Sequence, residues 1–145
     1  MGSQAIEEYR KEAEIYHGDT LCKQKSIELL QELSLPNGLL PLQDIIEAGY
    51  NRPAGFVWLR QRKSLEHYFP MIGRTVSYAN EITAFVENRR MKKITGVKSK
   101  ELFIWLTVAD MHIQNPISGN ITFKSTTGLS RTFPISAFQL KQQDE

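Results

Sequence analysis

Six cations fall within twelve residues of this chain: Arg89, Arg90, Lys92, Lys93, Lys98 and Lys100. Groups of this kind recognise phosphate, arginine through a bidentate fork and lysine as a point charge. On a strand-turn-strand their outward positions would present a row of donors to an anionic surface. Each cation near an anionic leaflet contributes about 1 kcal/mol, so four to six would hold a protein there. The same residues would also serve as a solvated hairpin that guards a sheet edge. A second group, Arg60 and Arg62 with Lys63 beside them, follows Trp58, and alternation places Arg60 and Arg62 on the Trp58 face. There they would flank a headgroup or cover the ring with their stems. The expected partner of these cations is therefore an anionic membrane lipid. Nucleic acid is not expected, because the basic segment lacks interleaved aromatics and the whole chain carries a net charge of only +2.

Nucleophilic chemistry would fall to Cys22 with His17 and Asp19, or to Ser77 with His67 or His112. Cys22 lies on the apolar face of a predicted helix, which favours a small buried residue over a thiolate. Ser77 has no GxSxG elbow around it. The three histidines lack paired metal spacing, and one cysteine makes no zinc signature. Glycines 38, 49, 55, 73, 96, 119 and 128 fall at predicted turns, with no phosphate-cradling loop among them. No cofactor or metal is expected, and no catalytic residue is assigned. Asn120-Ile121-Thr122 fits the glycosylation pattern, which matters only for a secreted chain. Trp58, Trp105, Phe85 and Phe103 read as core.

The elements that must position these groups start with Leu102 to Ile113, LFIWLTVADMHI, whose composition favours a strand. Gly96-Val97-Lys98 is read as the turn that opens it and Asn115-Pro116 as its close. Phe103, Trp105, Thr107, Ala109 and Met111 share one face, and Leu102, Ile104, Leu106, Val108, Asp110 and His112 the other. The polar end at Asp110 and His112 is expected to approach solvent or a cavity mouth. Upstream, helical spacing predicts a helix over Ala5 to Tyr16 with Ser3 as cap, and a second over Thr20 to Leu33. Gly18 would end the first and Asp19 would cap the second. Gly49 to Gly55 reads as turn chemistry. Strands are predicted at 56–63, 65–69, 78–87, 91–97, 102–113, 120–124 and 133–140.

Short strands without helices between them argue for antiparallel pairing. The fold class is mainly β, a small antiparallel barrel or rolled sheet with two N-terminal helices packed against it. Residues 1–145 form a single domain: a helical segment over 1–34, a β domain over 35–140, and a loose tail at 141–145. Residues 1–50 carry nine acidic and four basic groups, whereas residues 51–100 carry eleven basic and three acidic, a net −5 against +8. A contiguous second segment would present a positive field. Cys22 alone excludes a disulfide framework, and no apolar run suffices for a transmembrane helix or a signal peptide. Gly2 would suit myristoylation, but Ile6 stands where that motif wants Ser or Thr. The expected location is the cytoplasm, with peripheral contact at membranes.

Leu35-Pro36-Asn37-Gly38-Leu39-Leu40-Pro41-Leu42, Gly49-Tyr50, Gly55-Phe56-Val57-Trp58-Leu59, Val76-Ser77-Tyr78-Ala79, Ile94-Thr95-Gly96-Val97-Lys98, Trp105 and Leu129-Ser130-Arg131-Thr132-Phe133-Pro134 occur in this order. In these motifs the chain resembles the plant family catalogued as domain of unknown function 538, over roughly residues 20 to 140. The resemblance implies a mainly β fold with N-terminal helices. It also implies a likeness to the lipid-binding domains of bactericidal/permeability-increasing protein, and hence an apolar ligand or an anionic lipid. No catalytic residues come with it. The functional expectation is a non-enzymatic lipid- or phosphoinositide-binding β domain at the cytosolic face of membranes. A small ester hydrolase and a protein interaction module are the alternatives.

Overall fold

The computed structural model describes residues 2–140, with side chains from Gln4 onward. The tail read at 141–145 and the capping side chain read at Ser3 lie outside the described residues and side chains. A helix α1 (Gly2–Tyr9) passes through one 3-10 turn (Arg10–Glu12) into strand β1 (Glu14–His17), and α2 (Asp19–Glu32) follows. Eight strands come next: β2 (Ile45–Asn51), β3 (Phe56–Gln61), β4 (Leu65–Phe69), β5 (Arg74–Glu87), β6 (Arg90–Glu101), β7 (Ile104–His112), β8 (Asn120–Ser125) and β9 (Ser130–Pro134). All nine strands pair antiparallel in one sheet of order β1-β2-β3-β5-β6-β7-β8-β9, and β4 joins β5. The ladder path starts at β1 and ends at β9 without a ladder between them, so the sheet is open.

The two helices cover opposite faces, and strand alternation explains how. Phe56 and Trp58 of β3 meet Ile6 of α1 in a small core, whereas Val57 belongs with Cys22 and Leu30 of α2 in the large one. Trp58 also donates its indole N–H to Glu47 at 2.8 Å. That carboxylate accepts from Arg10 at 2.9 Å and lies 3.3 Å from Arg60 and 3.1 Å from His17. Burial pushes Glu47 up, but the hydrogen bonds from Arg10, Trp58 and His17 outweigh it and hold its pKa near about 2. Glu47 thereby fastens the N-terminal turn to the sheet.

Several elements differ from the sequence reading. The helix expected to reach Tyr16 stops at Tyr9, Ala13 is extended (φ −95°, ψ 147°), and Glu14 to His17 pair with Tyr50 to Glu47. Edge pairing with β2 outweighs the weak helical preference of this short stretch. Asp19 is the first residue of α2, not its cap, and its carboxylate accepts from the Ile45 N–H at 2.9 Å, tying helix to sheet. Strand β2 runs through Gly49, read above as a turn. Its glycine is needed for close approach, since a Cβ there would stand 2.2 Å from the Trp58 ring. Gly96 likewise lies inside β6 at φ +86°, where a Cβ would meet the Glu81 carbonyl oxygen at 2.4 Å. It forms an irregularity in the ladder, and no turn opens there. Strand β9 ends at Pro134, and a 3-10 turn (Ile135–Phe138) drops Phe138 against Phe69 and Phe123 at ring separations of 4.9 and 5.2 Å.

Candidate functional site

With Gly96 inside the strand, the chain reverses at Leu102-Phe103, a two-residue connection between the paired Glu101 and Ile104. Such a turn needs positive φ at its first central position, which glycine supplies without strain. Leu102 occupies it at φ 53°. Among the described residues nothing packs over the tip: Leu102 is 84% exposed and Phe103 95%, and Ile104 and Trp105 are exposed behind them. The long apolar run thus faces solvent at its start, the reverse of what its pattern suggested. At its other end Asp110 is buried, because Arg90 grips it at 2.9 and 2.7 Å and His112 bonds its second oxygen at 2.8 Å. Paired in this way a carboxylate tolerates burial, while a hairpin tip without a cover cannot hide its side chains.

Two further hairpins reach the same end. The β4–β5 turn follows the pair Phe69 and Arg74, and the Arg74 guanidinium lies 3.7 Å from the Glu101 carboxylate. It exposes Met71, with Tyr68 of β4 beside it. In the β8–β9 turn the Thr126 N–H donates to the Thr107 carbonyl at 3.0 Å, and Leu129 is exposed. Arg131 of β9 donates to Glu101 at 2.8 Å. This hydrogen bond holds the Glu101 carboxyl below the usual range despite partial burial, with Arg74 and Arg131 adding Coulombic attraction. Exposed apolar side chains from three hairpins therefore share one end with Arg74, Lys98, Lys100 and Arg131. At this end Glu101 is already held by two arginines, and Glu66 lies across Ser77 from Lys98.

The cations expected to act together are divided along β6. Arg90 pairs with His112 and Lys100 with Trp105, ten residues or roughly 33 Å apart on an extended strand. Arg89 sits in the β5–β6 turn and donates to the Gln114 carbonyl at 3.3 Å; Arg90 is held by Asp110. Lys92 pairs with Glu87 at 2.6 Å, and exposed Lys93 lies 5.6 Å over Phe85. Arg60 is bound between Glu47 and Glu81, and Arg62 is exposed after β3. Of the eight, Lys98 and Lys100 are the two beside the apolar end. Trp58 is core as expected and Phe85 half-buried, but Phe103 and Trp105 are not.

The groups weighed for nucleophilic chemistry do not assemble. Cys22 is buried, donates to the Tyr16 carbonyl at 3.3 Å, and burial pushes its thiol up. His67 packs its ring on Phe69, and burial pushes its pKa down. Among the described residues no Ser or Cys hydrogen-bonds a His. Between α2 and the sheet lies a cavity of about 110 Å³. An engineered cavity of about 150 Å³ accepts one benzene, so this space is on the scale of a single ring.

Curated proteins and solved structures were both compared with the chain, and neither comparison finds a match. A family model covers residues 26–139, from the middle of α2 to just past Phe138. It therefore includes the three hairpins of the apolar end, and the chain belongs to the family described as "Protein of unknown function, DUF538".

Proposed function

We propose that the protein is a non-enzymatic peripheral lipid-binding domain that docks on anionic membranes, at their cytosolic face, through the hairpin end of its sheet. The observation that carries this reading is the uncovered run Leu102-Phe103-Ile104-Trp105 beside Lys98 and Lys100. Contiguous apolar surface of this kind marks a membrane or protein contact. Trp105 and Tyr68 suit the headgroup level, where aromatic rings with a polar handle collect. Full burial of Leu102, Phe103 and Ile104 would each contribute about 1.5–3 kcal/mol. Each neighbouring cation would add about 1 kcal/mol on an anionic leaflet. These gains exceed the cost of association only modestly, which gives reversible attachment. Phosphoinositide headgroups, with more than one phosphate, suit the paired ammonium groups of Lys98 and Lys100. Among the described residues no helix is long and apolar enough to cross a membrane.

Liposome co-sedimentation tests the reading. Vesicles of phosphatidylcholine alone should retain little protein, and added phosphatidylserine or phosphoinositide should raise the bound fraction. Raising salt from 0.05 to about 0.5 M should weaken it through screening. Binding that ignores both lipid charge and salt would remove the electrostatic part of the account. Absence of binding to every vesicle would leave the apolar end to a protein partner.

A further inference from the structure

We propose that the cavity beneath α2 is a binding site for one small uncharged molecule, of single-ring size and bearing a hydroxyl or carbonyl group. The inference stands apart from the membrane reading, since it rests on a different part of the fold. Its floor is two cross-strand rows on one face of the sheet: Ala48–Leu59–Ile82 and Tyr50–Val57–Ala84. Each row contains an alanine where its neighbours are large, and Leu29 of α2 forms part of the roof. The two missing side-chain volumes leave the hollow of about 110 Å³. Large apolar side chains such as Phe56, Phe138, Leu39 and Met111 are fully buried elsewhere in the interior.

The mouth decides the class of ligand. Arg52, in the β2–β3 turn, hydrogen-bonds Glu14 of β1 and Glu32 of α2, and its guanidinium stacks 4.6 Å from the Tyr50 ring. Lys25 pairs with Glu28 at 3.4 Å and lies 5.1 Å over Tyr16. Every charged group at the rim therefore already has a partner. A charged ligand would have to break one of these pairs or lose its water without compensation. A neutral one would not. The polar handle is Tyr50: its hydroxyl makes no hydrogen bond to another described residue, and burial pushes its pKa up, so it stays a donor at neutral pH. A carbonyl or hydroxyl oxygen that entered with a ring would accept from it. The Arg52 clasp spans the entrance from β1 to α2 and would slow both entry and exit.

Benzyl alcohol and benzene, added to the full chain, are the probes. Saturable one-to-one binding of benzyl alcohol is expected in calorimetry, with methyl NMR shifts centred on Ala48, Ala84 and Met91. Tyr50→Phe should weaken benzyl alcohol about twofold to tenfold, the size of one hydrogen bond, and leave benzene unchanged. Ala84→Leu should fill the space and abolish saturable binding of both; Ala48→Val serves if that variant fails to fold. Benzylamine and benzoate should bind at least tenfold more weakly. The proposal is overturned by non-saturable binding, by binding that persists in the filled variants, or by a charged probe that binds as tightly as the alcohol.

Discussion

Lys100 holds its ammonium 5.7 Å from the centre of the Trp105 ring, across the ladder that joins β6 to β7. The pair stands one step behind the bare tip, so a cation and an amphipathic ring flank an apolar wedge. Removing the ring should matter on the membrane more than in solution. An exposed cation–π contact contributes about 0.5–1 kcal/mol. Trp105→Ala should therefore lower stability by about 1 kcal/mol in urea titration, while vesicle partitioning falls tenfold or about that.

Leu102 at φ 53° predicts a gain in stability from a change that harms binding. A non-glycine residue in this region costs about 1–2 kcal/mol. Leu102→Gly should raise the unfolding free energy read from urea titration by up to about 1 kcal/mol and reduce vesicle binding at least several-fold. A variant that loses stability would show that the Leu102 side chain has folded-state contacts outweighing its strain.

Glu47 sets an acid limit on stability. Its folded pKa of about 2 lies below the ordinary carboxylate value, so its contribution is fully present above about pH 4.5 and is lost as pH falls toward 2. Urea midpoints measured from pH 6 to 2 should show this decline. Glu47→Gln should cost about 2–3 kcal/mol at pH 6, because Arg10 and Arg60 lose the buried Glu47 carboxylate and keep only Glu7 and Glu81, and should flatten the decline.

Gly49→Ala tests the reason β2 exists in its observed form. The added methyl would run into the Trp58 ring, so either β2 or the ring must move. A loss of about 2–3 kcal/mol in thermal or urea unfolding is expected, with a change in near-ultraviolet circular dichroism from Trp58.

These two glycine and glutamate sites also show where sequence was informative. Alternation in Phe56-Val57-Trp58-Leu59 marked β3 correctly and placed Arg60 on the Trp58 face, where both converge on Glu47. Gly49 and Gly96 misled because a glycine that admits a neighbouring ring or carbonyl is indistinguishable, by type, from one that makes a turn. The apolar end was hidden for a related reason. Leu102-Phe103-Ile104-Trp105 has the composition of a buried strand, and exposure depends on what the rest of the chain fails to place over it. The signal that was present is length: a twelve-residue apolar strand is long for a small domain, and the tip falls at its first two residues. The basic residues were legible as types, yet β6 carries them to opposite ends, a separation that only the register reveals.

Trp105 emission on vesicles tests the central claim most directly, since Trp58 is already buried and contributes a constant blue background. On phosphatidylcholine vesicles containing phosphatidylserine or phosphoinositide, emission should shift to the blue and be quenched by brominated acyl chains, and Phe103→Asp should abolish both changes. Emission that stays unshifted and unquenched while the protein co-sediments with those vesicles would contradict docking through this end.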